Sequence, residues 1–179
     1  SYRFLEEVWE AFMELPQEQI EVAVQSQYMT EQEREEFLKK FEQERAHSLI
    51  GFCVMGGVFS EGIDLTEDKL IGAMIIGTGL PQVCLERELL KYYFDRKNLN
   101  GFDYAYLYPG MNKVLQSAGR VIRTDQDRGV ITLLDDRFMD RQCQEVFPRE
   151  WNDFQICNSE NIEEKIAKFW KAEEQTDTK

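Results

Sequence analysis

The chain has 179 residues, of which 42% are hydrophobic and 31% charged, a composition typical of one globular domain with its own core. Its net charge of −13 argues against nucleic acid binding across the whole surface, because phosphate contacts depend on Lys and Arg. The sequence shows neither a signal-peptide pattern nor an apolar run of membrane-spanning length. We therefore expect a cytoplasmic protein that does not enter a membrane.

The charges are unevenly distributed along the chain. Acidic residues concentrate near both ends, whereas the middle of the chain is closer to electrical balance and could contact a phosphate backbone locally. The basic side chains of this middle part are Arg87, Lys91, Arg96, Lys97, Lys113, Arg120, Arg123, Arg128, Arg137 and Arg141.

The cysteines and the single histidine argue against two classes of site. Cys53, Cys84, Cys143 and Cys157 are widely spaced without a C-x-x-C pair, so we expect structural thiols and no metal site in this chain. With His47 as its single histidine, the chain does not favour a Cys-His or Ser-His nucleophile.

The sequence of the first half predicts two helices, two strands and a further β-rich segment. Residues 3–15 carry an apolar stripe and precede Pro16, which indicates an amphipathic helix. Residues 20–27 are rich in β-formers, and Thr30 with Glu33 forms a capping box for a helix to about residue 45. Residues 48–55 and 70–76 are nearly continuous apolar runs, typical of parallel strands covered on both faces.

The second half alternates strands and helices. Helices are predicted at 85–94, from about 111, after 136 and at 160–170, and strands at 104–108, 129–134 and 154–157. This alternation predicts an α/β fold, a doubly wound and mostly parallel sheet with helices on both faces. We expect one domain over residues 1–171 and a disordered polar tail over 172–179. Tyr104, Tyr106 and Tyr108 alternate, which suggests a base-stacking platform or, as we favour, a packed strand face.

Residues 116–123 read Gln-Ser-Ala-Gly-Arg-Val-Ile-Arg. In a continuous helix Gln116, Arg120 and Arg123 share one face, and Gly119 lies in mid-helix, where its missing side chain permits close approach. Two guanidinium groups side by side suit a triphosphate, although a solvated or salt-bridged pair is the alternative.

The chain contains no G-x-x-x-x-G-K-[ST] phosphate loop and no acidic doublet suited to Mg²⁺. It therefore cannot cradle and hydrolyse a nucleotide alone in the P-loop manner. We interpret it as one half of a two-domain motor that clamps the nucleotide between its halves.

Several segments together resemble a known family. They are residues 58–65, residues 73–81, Gln116-x-x-Gly119-Arg120-x-x-Arg123, Asp127-Arg128-Gly129 and residues 135–138. In order and spacing they resemble motifs V, Va and VI, and the strand that follows, of the second RecA-like motor domain of XPD/DinG-type superfamily 2 helicases. Ser1-Tyr2 resembles the end of motif IV, and because the chain starts with Ser rather than Met we expect residues upstream. Ser60 stands where the DinG branch has Trp, so the chain looks closer to the XPD branch.

The resemblance implies roles for individual residues. Arg123 would be the arginine finger that reaches the γ-phosphate, and Arg120 would also face the phosphates or hold the coupling network. The remaining nucleotide-binding candidates are Gln116, Gly119, Glu61, Gly62 and Asp64, with helix capping as the alternative for Glu61 and Asp64. The candidates for contacts to DNA are Tyr2, Gly57 and Ser60. For Gly57 and Ser60 the reason is that exposed N–H groups in a Gly-rich turn favour anions.

The resemblance also implies partners and cofactors. ATP and Mg²⁺ would be held mainly by the first RecA-like motor domain of the same protein, and single-stranded DNA would be the second partner. A 4Fe-4S cluster would belong to that other domain, not to this chain. The implied activity is ATP-driven 5′ to 3′ unwinding, with a role in DNA repair, and we expect the isolated chain to be inactive. The alternatives are the helicase-like half of a DinG-type nuclease and a non-catalytic scaffold.

Overall fold

The computed structural model describes residues 1–16, 18–57, 59, 65 and 69–171. It forms two compact units, Ser1–Val146 and Phe147–Lys179. Among the described helices, none combines the length and the apolar character that a membrane crossing requires. The domain boundaries, one domain over 1–171 and a tail over 172–179, stay a prediction, and the tail lies outside the described residues.

The first unit begins with two helices that alternate with two strands. Helix α1 (Tyr2–Met13) precedes strand β1 (Ile20–Val24), and helix α2 (Glu31–Glu42) precedes strand β2 (Ser48–Phe52). The strands pair in parallel, with Ile20 opposite Ser48 and Val24 opposite Phe52. Both predicted helices are confirmed, and so is the capping box, in which the Thr30 hydroxyl accepts the Glu33 N–H at 3.3 Å.

Helix α2 packs on this first strand pair through aromatic contacts. Ala23, Phe37 and Phe59 are buried together, and the rings of Phe37 and Phe59 stack with their centroids 4.5 Å apart. Burying a side chain of this size stabilises the fold by about 1.5–3 kcal/mol. This cluster therefore fixes α2 against β1.

A second parallel pair follows in the same unit. Strand β3 (Gly72–Ile76) pairs with strand β4 (Val130–Leu134), with Gly72 opposite Val130 and Ile76 opposite Leu134. The connection contains helix α3 (Leu85–Asp95), a π-helix (Asp103–Leu107) and helix α4 (Tyr108–Ala118). Parallel strands need such a long crossover, which here is helical. The predicted α/β class with parallel strands is therefore confirmed.

The predicted strand at 104–108 is wrong, because these residues form the π-helix and the start of α4. The segment packs as a helix on α3, where the Tyr104 ring stacks on Phe94, and Pro109 accounts for its π type. Pro109 has no N–H for the Ala105 carbonyl four residues earlier, and its ring crowds that position. The Tyr108 N–H instead reaches back to the Asp103 carbonyl, and the Ala105 carbonyl accepts Arg87 Nη1 at 2.6 Å.

The packed strand face expected for the three tyrosines is wrong as a strand, but two of the rings do pack, whereas Tyr108 is exposed. The ring of Tyr104 stacks on Phe94 with a centroid separation of 4.0 Å, and Tyr106 is buried. Their hydrophobic rings therefore serve the contact between the π-helix and α3.

The segment after β4 is more irregular than the predicted single helix. It forms a 3-10 helix (Asp136–Met139) and the four-residue helix α5 (Arg141–Gln144). Asp135 caps the first turn, since its carboxylate accepts the backbone N–H of Arg137 at 2.9 Å.

The second unit contains a 3-10 turn (Arg149–Trp151) and helix α6 (Ile162–Lys171). The ring of Phe147 meets those of Trp151 and Phe154 edge-on at 5.2 and 6.0 Å. The predicted strand at 154–157 is wrong, because the structure describes no partner strand within residues 147–171. A segment with alternating apolar residues has no inter-strand hydrogen bonds to hold it extended when no neighbouring strand pairs with it.

Candidate functional site

The octet at 116–123 is a helix end and a loop, not one continuous helix. Helix α4 ends at Ala118, and Gly119 is its C-cap with φ −66° and ψ 0°. The predictions that Gly119 lies in mid-helix and that Gln116, Arg120 and Arg123 share a helical face are therefore wrong. The Gly119 N–H still donates to the Leu115 carbonyl at 2.8 Å, which closes the last turn.

Val121 explains why the chain leaves the helix here. Its side chain is buried, and it packs so closely on Gly129 that a Cβ at position 129 would lie 2.3 Å from Val121 Cγ1. The Val121 N–H donates to the Ala118 carbonyl at 3.0 Å, in a tight turn that directs the chain toward β4. Packing of one apolar side chain thus outweighs helical continuation.

Asp127 holds the loop that carries Arg123. Its Oδ2 accepts the backbone N–H groups of Arg123 and Thr124, each at 2.7 Å. The Thr124 hydroxyl in turn accepts the Gln126 N–H at 3.2 Å. Carboxylate-to-amide bonds of this length are charge-assisted and strong. Arg123 is exposed at the start of this closed loop, whereas Arg120, nearer the helix end, is half-buried.

A second group of residues meets where β1 and β2 end. Gln25 follows β1, is buried, and donates its Nε2 to the Tyr2 hydroxyl at 3.0 Å. Its Oε1 accepts the Val54 N–H at 2.8 Å. The amide therefore connects α1 to the loop after β2. Gln25 is a functional candidate that the sequence motifs miss, although a polar residue directly after an apolar strand is a usable signal.

Gly57 lies beside this amide. A Cβ on Gly57 would stand 3.4 Å from Gln25 Nε2 and 3.0 Å from the Val54 carbonyl oxygen. Tyr2 and Gly57, predicted separately as DNA-binding residues, are thus brought together through Gln25. The Gly57 N–H donates to the Val54 carbonyl at 3.1 Å, so this particular N–H already serves the turn.

Lys113 adds a cation next to the same loop. Gly56 has φ 76°, and a Cβ there would lie 2.9 Å from Lys113 Cδ. Lys113 lies on α4 three residues before Gln116, and residues at this spacing are neighbours on a helix. Helix α4 therefore links the loop around Gly56 and Gly57 to the segment that holds the two arginines.

The loops after β2 and β3 meet at the start of α4. Gly79 has φ 65°, and a Cβ there would lie 2.9 Å from both the Gly110 carbonyl oxygen and Met55 Cε. Such an approach is possible only without a side chain. The carboxyl ends of β2 and β3 thus come together, and the carboxyl ends of parallel strands are where ligands bind in open α/β sheets.

The Asp135–Arg137 pair is structural. Arg137 donates Nε to Asp135 Oδ1 at 2.8 Å and Nη2 to Oδ2 at 2.7 Å. These hydrogen bonds hold the pKa of the Asp135 carboxyl below its ordinary value. The guanidinium of Arg137 is therefore already committed to this carboxylate.

Four candidates, Ser60, Glu61, Gly62 and Asp64, lie outside the described residues. Their predicted contacts to nucleotide and DNA stay predictions. Among the residues that the structure does describe, no group of His, Cys, Asp and Glu is arranged to hold a metal ion.

Comparison with known proteins identifies relatives of the chain. Residues 1–154 match the family of the helicase C-terminal domain. The chain is 32% identical over 136 residues to the Regulator of telomere elongation helicase 1 homolog of Caenorhabditis briggsae, an alignment that covers 70% of this chain and 14% of the relative. It is 36% identical over 88 residues to the ATP-dependent DNA helicase DinG of Photobacterium profundum, which covers 48% of this chain and 13% of the relative.

A third relative is also named as a DNA helicase. The ATP-dependent DNA helicase chl-1 of Caenorhabditis elegans is 36% identical over 91 residues, covering 49% of this chain and 11% of the relative. The matched part of this chain thus spans only 11–14% of the length of these three relatives.

Proposed function

This chain belongs to the helicase C-terminal domain family, and on that premise we propose that it is the second motor domain of an ATP-dependent DNA helicase. The observation that carries the proposal is the position of Arg123. Its side chain is exposed on the loop that follows α4, and the Asp127 carboxylate holds the backbone of that loop. An arginine that completes a site on a neighbouring domain needs such a fixed base and an exposed side chain.

We propose that Arg123 is the arginine finger for ATP bound on the first motor domain. Its guanidinium would stabilise the charge that develops on the γ-phosphate during hydrolysis. Arg120 would contribute from the half-buried side of the same turn, and Gln116 and Gly119 would border the nucleotide. Because this chain has no phosphate loop, the first motor domain would hold the triphosphate and Mg²⁺.

The group formed by Tyr2, Gln25, Gly57 and Lys113 supports contacts to single-stranded DNA. It lies where β1 and β2 end, and Lys113 brings a positive charge beside the glycine turn. Helix α4 runs from this group toward Arg120, so it would connect the DNA contacts rigidly to the nucleotide contacts. ATP binding would close the two domains, hydrolysis would reopen them, and the strand would advance 5′ to 3′.

The test uses the full-length polypeptide that carries this chain together with a first motor domain. Arg123→Ala should leave ATP affinity nearly unchanged and lower DNA-stimulated hydrolysis by about 10³- to 10⁵-fold, equivalent to roughly 4–7 kcal/mol. Arg141→Ala is the matched control, because Arg141 is also exposed and forms an ion pair with Glu145. A near wild-type rate in Arg123→Ala would remove the finger assignment. Absence of DNA-stimulated hydrolysis in the unmodified protein would favour the non-catalytic scaffold.

A further inference from the structure

Helix α3 contacts the rest of its unit through polar groups and Phe94, and it leaves several large apolar side chains exposed. All eleven of its residues are described, and none of them is buried. Its exposed residues include large hydrophobic ones, such as Leu85 at 72% and Tyr92 at 60%. A helix on a protein surface normally shows the opposite arrangement, so this face is a candidate interaction surface.

Polar contacts account for the inward side of α3. Arg87 donates to the Ala105 carbonyl at 2.6 Å, and Glu88 accepts the Tyr106 hydroxyl at 2.6 Å. The Asp95 carboxylate accepts the Gly101 N–H at 2.8 Å. With the stack of Phe94 on Tyr104, these contacts fix the rotation of the helix about its axis. The exposed face is therefore set by the fold.

The carboxyl-terminal part of this face combines aromatic rings with cations. Tyr92 and Tyr93 are 60% and 50% exposed. The Arg96 guanidinium lies 5.8 Å from the centre of the Tyr92 ring, and the Lys97 ammonium lies 4.6 Å from that of Tyr93. These four residues form what we call the tyrosine–cation surface. Each ring has a positive charge near it and remains partly open to solvent.

The local charge is opposite to that of the chain as a whole. Residues 91–97 contain Lys91, Arg96 and Lys97 against one carboxylate, Asp95, which is engaged with the Gly101 N–H. The whole chain, by contrast, carries −13. An anionic ligand is therefore attracted to this surface and repelled by most of the remainder.

We propose that the tyrosine–cation surface binds single-stranded nucleic acid, with bases stacked on Tyr92 and Tyr93 and phosphates beside Arg96 and Lys97. Stacking platforms flanked by cations are the chemistry with which proteins hold unpaired strands without reading their sequence. The inference rests on the proposed function, and it adds a contact surface distinct from the group around Tyr2 and Gly57. The exposed leucines of α3 lie at its amino-terminal end and in its middle.

The experiment measures binding of the 179-residue chain to fluorescein-labelled oligo(dT) of about 15 nucleotides by anisotropy. Salt is kept at about 50 mM, because phosphate contacts weaken steeply at higher concentrations. Tyr92→Ala with Tyr93→Ala should weaken binding by about 5- to 150-fold for each ring removed, the effect typical of losing one stacked base. Tyr92→Phe with Tyr93→Phe should restore it. Tyr28→Ala is the control, because Tyr28 is 86% exposed and lies outside α3.

The salt dependence of binding tests Arg96 and Lys97 separately from the tyrosines. Arg96→Gln with Lys97→Gln should lower the slope of log affinity against log salt by about 1.4, that is about 0.7 for each phosphate that is no longer neutralised. Circular dichroism melts of all variants establish that they are folded. Equal affinities of the unmodified chain and the tyrosine variant would overturn the inference.

The outcome is distinguishable from that of the proposed function. If the unmodified chain does not bind oligo(dT) at low salt, the surface does not bind nucleic acid and the inference is overturned. The hydrolysis test on Arg123 would still stand, because it is read from turnover in the full-length polypeptide.

Discussion

The Asp127 carboxylate accepts the backbone N–H of Arg123 at 2.7 Å, and the same oxygen accepts the N–H of Thr124 at an equal distance. These hydrogen bonds fix the backbone from which the Arg123 side chain extends. Asp127 is accordingly a positioning residue in the proposed mechanism. A cation displaced by about 1 Å from the developing charge can cost about 10² in rate.

Asp127→Ala should therefore lower DNA-stimulated hydrolysis in the full-length polypeptide by about 10- to 100-fold, with Arg123 itself unchanged. The reduction should appear in kcat, whereas KM for ATP stays close to its original value, since in the proposed mechanism the first motor domain holds the nucleotide. Asp127→Asn keeps one acceptor oxygen, so its kcat should lie between those of the unmodified protein and Asp127→Ala. Steady-state kinetics check this, and an unchanged kcat in Asp127→Ala would show that Arg123 does not depend on the hydrogen bonds from Asp127.

The Arg87–Ala105 bond should stabilise the crossover between β3 and β4. Pro109 has no N–H to donate to the Ala105 carbonyl, and Arg87→Met removes the guanidinium that donates to it instead. The loss should lower the free energy of unfolding by about 1–3 kcal/mol. Adding Pro109→Ala supplies the missing N–H four residues along the helix. Urea unfolding of both single variants and the double variant measures the coupling. Strictly additive effects would contradict the link between Arg87 and Pro109.

Gln25→Met should destabilise the edge formed by α1 and the loop after β2. The substitution keeps the side-chain size but leaves the Val54 N–H unpaired, which costs about 1–3 kcal/mol. Gln32→Met is the matched control, because Gln32 is exposed on α2 and bonds only to Glu36 at 2.9 Å among the hydrogen bonds that the structure describes for it. Equal midpoints of urea unfolding for the two variants would argue against a structural role of the Gln25 amide.

Tyr106 should impose an alkaline dependence on stability. Its hydrogen bond to the Glu88 carboxylate, followed by burial, raises the pKa of Tyr106 from 10 to about 12. Between these values the unfolded chain releases the phenolic proton while the folded chain keeps it. The stabilisation is therefore complete below pH 10 and is lost as the pH rises toward about 12.

The comparison of the unmodified chain with Tyr106→Phe isolates this effect from the other tyrosines. Unfolding midpoints measured across the alkaline range should fall more steeply for the unmodified chain. Parallel curves would show that Tyr106 titrates at its ordinary pKa.

The parts of the fold that the sequence predicts correctly depend on neighbours a few residues apart. The Thr30–Glu33 capping box acts across three residues, and the apolar stripe of α1 repeats within each turn. The apolar runs that became β2 and β3 are likewise continuous along the chain. The motifs that resemble the helicase family are also local patterns, and the match over residues 1–154 confirms that resemblance.

The tertiary structure decided the features that rest on distant contacts. Gln25 reaches Tyr2 and Val54, which are 23 and 29 residues away. The octet at 116–123 left the helix because Val121 packs on Gly129, and Arg87 satisfies a carbonyl 18 residues along the chain. Local propensity determined which segments could be helices and strands. Burial of single side chains and pairing of distant polar groups decided where those segments end and which faces they expose, because each such contact outweighs the small preference of one residue for helix or strand.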